Sequence, residues 1–191
     1  LGAGQRWSPK ERAIYAFAPG PDVPDLLRAA GVDPDTVTHV VLTHLHWDHA
    51  GGLVLSGDPP RLALPRAEHV VSRACLTHAE HPSEKDAGSF RQGDLALLQS
   101  TGAIRLWDEG NPLAPGLEGR LARGHTEGQI IPWIRERDDG PPLAIPTDLI
   151  PTRSHLKPSW VMAYDNQPTV TAAEKRALIS ELTAIGGGVL L

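Results

Sequence analysis

The 191-residue chain has a single cysteine, Cys75. One thiol excludes an internal disulfide and any zinc site built from a cysteine cluster. It also suits a reducing compartment, so a cytoplasmic location is expected. Long apolar runs are lacking too, and nothing approaches the roughly 20 residues that span a bilayer. Positive charge is scarce, with 18 basic against 23 acidic residues and a net charge of -5. That balance argues against a nucleic-acid surface or a polybasic membrane patch. Lysine occurs only at 10, 85, 157 and 175, the remaining basic residues being arginine. There is no repeat, no low-complexity tract and no linker long enough to divide the chain, so one domain over 1–191 is expected. The chain opens on Leu1 instead of methionine, which is expected of a processed, trimmed or incomplete start.

What is present describes a globular mixed α/β chain, 40% apolar and 21% charged. The stretch DVPDLLRAAG (22–31) reads as a short helix, capped by Asp22 and stopped by Gly31. The β-branched run TVTHVVLT (36–43) reads as a buried strand. Short strands are expected near 61–65 and 68–72, and helical pieces between 73 and 99. Further strands are expected at 103–107, 117–124, 129–137 and 142–148, with Pro132 marking an edge or a bulge. The segment 171–187 is the clearest helix: Thr171 and Glu174 form a capping box, and Leu178, Ile179, Leu182 and Ile185 make an apolar stripe. A strand begins again at GVLL (188–191).

The chemistry is concentrated in THLHWDHAGG (43–52). Imidazole is the commonest side-chain metal ligand, and carboxylate oxygens complement it around borderline divalent ions. His44 and His46, two apart in an extended segment, point the same way. Asp48 continues the alternation, His49 follows at the turn, and Gly51 and Gly52 let the backbone bend and approach closely. A lone strand histidine is usually packed or solvated, but four such groups in six positions make a metal motif. Two single residues join them as candidates. His125, in RGHTEGQ, follows the 117–124 strand. Asp148 ends an apolar strand in LAIPTDLIP, where an aspartate is otherwise often a turn-former.

With His44-x-His46-x-Asp48-His49, then Gly-His125-Thr, then Asp148, in that order, the chain resembles the metallo-β-lactamase-fold hydrolases. The segments WSPKER (7–12) and TDLIPTRSHLKPSWVMAYD (147–165) and the terminal helix are most similar to its lactonase and organophosphate-hydrolase-like branch. The resemblance implies an α/β fold, an αβ/βα four-layer sandwich, incomplete here at both termini. It implies two divalent ions, expected to be zinc, with manganese, iron or cobalt able to occupy the same cage. His44, His46 and His125 would hold one ion; Asp48, His49, Asp148 and a further histidine would hold the other, with Asp148 bridging. In relatives that histidine follows the strand after the last helix, so it is expected beyond Leu191. His155 precedes the helix and does not match it. Relatives also carry strands ahead of the position of Leu1.

The implied activity is a dinuclear metal-dependent hydrolase that opens a lactone or ester with a hydroxide shared by the two ions, as in acyl-homoserine lactonases. Asp48 would orient the nucleophile and pass on its proton. Lactonases of this fold place a tyrosine three residues after the bridging aspartate; Pro151 stands there, and Tyr164 is distant in sequence. A phosphotriesterase, a hydroxyacylglutathione-type thioesterase, an iron persulfide dioxygenase and a non-catalytic metal-binding fragment remain as alternatives. The expected partner is a small-molecule substrate, with no nucleic acid and no membrane; self-association is left open.

Overall fold

The structure is a computed structural model that describes residues 1–135 and 140–191. The chain forms two compact units, Leu1–Val70 with Gly88–Arg105, and Val71–Ala87 with Leu106–Leu191. No helix among the described residues is long and apolar enough to cross a membrane.

In the first unit, helix α1 (Pro9–Tyr15) starts on a complete capping box. The Ser8 hydroxyl accepts the Glu11 amide at 3.2 Å, and the Glu11 carboxylate accepts the Ser8 amide at 2.8 Å. Helix α2 (Val23–Ala29) lies within the predicted 22–31 segment, with Gly31, at φ +78°, just past its end; Asp22 holds the N-cap position, but its side chain makes no capping bond. Strand β1 (His39–Val41) is shorter than the predicted 36–43 run. Pro34–Thr36 instead makes a 3₁₀ turn, tied by the Asp33 carboxylate to the Asp35 amide. A single helical turn, α3 (Trp47–Ala50), carries the later residues of the histidine motif. It leads to the antiparallel pair β2 (Val54–Leu55) and β3 (Arg61–Leu62).

Strand β4 (Glu68–Ser72) runs parallel to β1, with Val40 opposite His69. The chain then passes through α4 (Arg73–Glu80) and returns with α5 (Gln92–Ser100) and β5 (Ile104–Trp107). The sheet order is β1-β4-β5. Val40, Val70 and Val71 are buried, as expected of strands covered on both faces.

The second unit is a four-stranded sheet in the order β6 (Glu118–Ala122), β7 (Gln129–Ile134), β8 (Leu143–Ala144) and, beyond helix α6 (Pro168–Ala184), β9 (Gly188–Val189). The first three pair antiparallel; β9 joins β8 in parallel, as a crossover through a helix requires. The strand predicted to 137 ends at Ile134, and positions 136 and 137 lie outside the described residues.

Pro132 departs from the expectation of an edge or bulge, because β7 is an inner strand. The ladder tolerates it because it stands opposite Ile145, just past the end of β8. There its carbonyl accepts the Ile145 amide at 2.9 Å and no donor is required of it. The predicted capping box of the last helix also fails. Pro168 occupies the first turn, a position suited to a residue without an amide hydrogen. The Glu174 carboxylate instead accepts the backbone amides of Arg123 and Gly124 at 2.9 and 3.1 Å. Leu178 and Leu182 are buried, whereas Ile185 is exposed.

Ala122, Ile131, Trp133, Ala144, Leu149, Ile150, Leu178 and Leu182 form the core of this unit. Trp133 is fully buried, with the Arg120 and Arg135 guanidinium groups 4.8 and 4.9 Å from its ring centroid. Replacing it removes the largest apolar surface in the cluster. Trp133→Ala is expected to lower the unfolding free energy by about 3–5 kcal/mol, measured by denaturant titration; a loss under about 1 kcal/mol would contradict this account of the core.

Candidate metal centre

The first unit supplies four of the six candidate ligands. Backbone leaving β1 stays extended through His46, whose φ of -64° and ψ of 146° place it at the N-cap of α3. The His44 and His46 rings therefore fall on one side, with centroids 4.7 Å apart and planes near perpendicular. The chain then turns helical instead of continuing the strand alternation, so the expected in-line placement of Asp48 is corrected. The His49 and Ala50 amides donate to the His46 carbonyl at 3.0 and 2.8 Å. That turn swings the His49 ring back to 4.1 Å from His44. Asp48 sits on the outside, its side chain 48% exposed, with a carboxylate oxygen 3.7 Å from His49 Nε2.

Burial separates the roles of these groups. His44 and His46 are buried, and an imidazole nitrogen is a common metal ligand. The glycines of the motif act through close approach, not unusual torsion. A Cβ on Gly51 would stand 2.3 Å from the Ala3 carbonyl oxygen, and one on Gly52 2.2 Å from that of Leu1. Trp47 is structural, packed with Trp7, Tyr15 and Phe17 at centroid distances of 5.0 to 5.8 Å. Phe90, at 5.0 Å from the His46 ring, is buried beside the motif.

The second unit supplies the other two candidates, already in contact. His125 Nε2 lies 3.2 Å from Asp148 Oδ2, and the ring is 1% exposed. On its far side, His125 Nδ1 meets Asp165 Oδ1 at 3.0 Å. A neutral imidazole has one N–H to donate. If Nδ1–H serves Asp165, the Nε2 lone pair faces a carboxylate oxygen. Two donor atoms so placed fit one cation: ligands at about 2.0–2.1 Å on a tetrahedral zinc stand roughly 3.3 Å apart. The donor chemistry thus suits a divalent metal.

Asp165 and its surroundings were not singled out as site residues from the sequence. The only hint was position, in MAYDN immediately before the last helix; a ligating histidine usually has a carboxylate behind its second nitrogen. Asp165 is fully buried. Its neighbour Asn166 donates its amide to the His125 carbonyl at 3.1 Å and its side-chain nitrogen to Asp86 at 2.6 Å. Asp86 also meets His78 Nε2 at 2.6 Å and accepts the Ser83 hydroxyl at 2.7 Å. Burial alone would raise the Asp86 carboxyl, but the hydrogen bonds from His78, Ser83 and Asn166 outweigh it and hold the group at about 2. Glu174, which clamps the amides ahead of His125, is pushed up by burial.

Tyr164, set aside on sequence distance, lies edge-on to His125 with centroids 5.7 Å apart, its side chain half exposed. His155 is occupied with the Thr152 hydroxyl at 2.7 Å. Trp160 is exposed under the Lys157 ammonium, so it is no core residue. Cys75 is buried, away from any of the ligand motifs in sequence.

The chain belongs to the metallo-beta-lactamase superfamily, whose family model matches residues 7–185. Its fold is the one expected from the sequence. An N-acyl homoserine lactonase, AiiB of Agrobacterium fabrum (strain C58 / ATCC 33970), is 29% identical over 136 residues, which make up 68% of this chain and 48% of that protein. The chain therefore matches about half the length of that relative. A probable metal-dependent hydrolase from Staphylococcus aureus has a TM-score of 0.87 at 23% identity, covering 100% of this chain and 67% of its own. AidC, a dizinc quorum-quenching lactonase in complex with a product, has a TM-score of 0.77 at 21% identity, covering 97% and 64%. These two likenesses are of fold.

The Asp86 cluster has a defined pH signature. A carboxyl depressed in the folded state stabilises above its unfolded value and loses that contribution as pH falls towards the folded one. Wild type is expected to exceed Asp86→Asn by about 2 kcal/mol near pH 6, a gap that closes between about pH 4 and 2 in urea unfolding series. A gap that does not change with pH would contradict the assignment.

Proposed function

We propose that this chain carries the centre of a dinuclear metal-dependent hydrolase that opens lactones or esters, N-acyl homoserine lactones being the first class to try. His44, His46 and His125 would hold one ion, and Asp48, His49 and Asp148 the other, with Asp148 shared. Zinc is the proposed metal. The observation that carries the reading is the His125 ring, buried between the Asp148 and Asp165 carboxylates at 3.2 and 3.0 Å. The grouped rings of His44, His46 and His49 support it from the other ligand set. Two further supports are the family membership and the lactonase relatives, 28–29% identical over 136 residues.

When bound, such ions supply Lewis acidity, which favours ionised water near neutral pH and polarises an acyl oxygen. The chain's own residues do the rest. Asp48, reaching solvent, orients the attacking water, takes its proton on a carboxylate oxygen and returns it to the leaving oxygen. Water oxygen bonds to the acyl carbon, the ring C–O bond breaks, and the product is a hydroxy acid. His44, His46 and His125 are buried and hold position.

Protein purified without chelator is expected to carry at least one divalent ion per chain, by elemental mass spectrometry, and to release acid from N-acyl homoserine lactones at fixed pH. Asp48→Ala is expected to slow that reaction by on the order of 10²–10⁴ with an unchanged circular dichroism spectrum. Less than one ion per chain, or undiminished turnover by Asp48→Ala, contradicts the reading. Turnover confined to phosphotriesters or glutathione thioesters would move the chain to those substrates.

A further inference from the structure

One buried carboxylate in the second unit binds no candidate ion and yet touches a candidate ligand. Asp165 Oδ1 lies 3.0 Å from His125 Nδ1, while its Oδ2 accepts the Met162 amide at 3.2 Å. The Asp165 amide returns a bond to the Met162 carbonyl at 3.1 Å, closing a tight turn that leaves the carboxylate little freedom. Beyond the turn, the Asn166 and Gln167 amides donate to the His125 and Gly124 carbonyls at 3.1 and 2.7 Å. Residues 165–167 are thus fastened to residues 124–125 by one side-chain contact and two backbone bonds. Two lysines brace the same segment: Lys85 Nζ donates to the Asp165 carbonyl, and the buried Lys175 Nζ to that of Trp160.

The segment is thus fixed beside His125, and its one side-chain contact with that residue is to the imidazole. We propose that Asp165 is the positioning residue of the centre: it accepts the Nδ1–H of His125, fixes that tautomer, and so commits the Nε2 lone pair to the side where Asp148 lies. The proposal rests on the metal-centre reading given above. A carboxylate at this place does two things that packing alone does not. It selects which nitrogen is the ligand, and it raises the basicity of that ligand by drawing on the Nδ1 proton. Asn166 is the strap, since it bonds the His125 backbone with its amide and the Asp86 carboxylate with its side chain.

The test separates the role of Asp165 from the presence of metal. Imidazole ¹⁵N correlation spectra of the metal-free wild-type chain at pH 8, with His125 assigned by difference against His125→Gln, report the tautomer directly. Protonation at Nδ1 is expected; an Nε2–H tautomer would overturn the proposal. Zinc affinity, measured by competition with a chromogenic chelator, is expected to fall by about 10–100-fold in Asp165→Asn, with the His125 nitrogen shifts altered. Zinc binding within threefold of wild type would overturn it too. Should Asp165→Asn fail to fold, the wild-type tautomer still decides. Should the wild type bind no zinc, the metal reading falls, and the same spectrum shows whether Asp165 sets the tautomer.

Discussion

A neutral imidazole donates from one nitrogen at a time, and much of the second unit is arranged around which nitrogen of His125 that is. The ring is buried between two carboxylates, so neither of its nitrogens can exchange freely with water. Asp165 is locked by a turn, the turn is tied to the backbone on both sides of His125, and Asp86 anchors the next residue along. Glu174, on the last helix, accepts the two amides immediately before the histidine. A short loop is thereby tied down by side-chain and backbone bonds together, the kind of support that a precisely placed side chain requires.

The first unit solves a different problem with a different device. Its histidines come from consecutive turns of one short segment, where a strand exit gives way to a single helical turn. Local backbone geometry alone gathers the rings of His44, His46 and His49. His44 and His46 are buried, while Asp48 keeps contact with solvent.

The two kinds of geometry differ in how far they could be read from the sequence. Local patterns were legible: the spacing of His44, His46 and His49, the helix after Asp22, and the β-branched run that becomes β1 all depend on neighbours within a few residues. Pro132 misled because a proline's tolerance is set by what lies across the ladder, here a strand that has already ended. The Thr171–Glu174 capping signature was sound as local chemistry. It lost to a tertiary partner, the amides of Arg123 and Gly124, some fifty residues away. Asp165 went unnoticed for the same reason, since its meaning comes from a histidine 40 positions earlier. The candidate ligands His125 and Asp148 carried weak individual signals and gained weight only beside the first motif and the family pattern.

The chain belongs to the metallo-beta-lactamase superfamily, and its hydrolytic reading is the proposal made above. The central claim is narrower: imidazole nitrogens and carboxylate oxygens of this chain, and no sulfur, surround a divalent ion. Zinc K-edge X-ray absorption on the zinc-loaded chain measures that most directly. The account predicts a nitrogen and oxygen shell at about 2.0–2.1 Å with the multiple-scattering pattern of at least two imidazoles. A sulfur shell at about 2.3 Å, or a shell of oxygen alone, would contradict it.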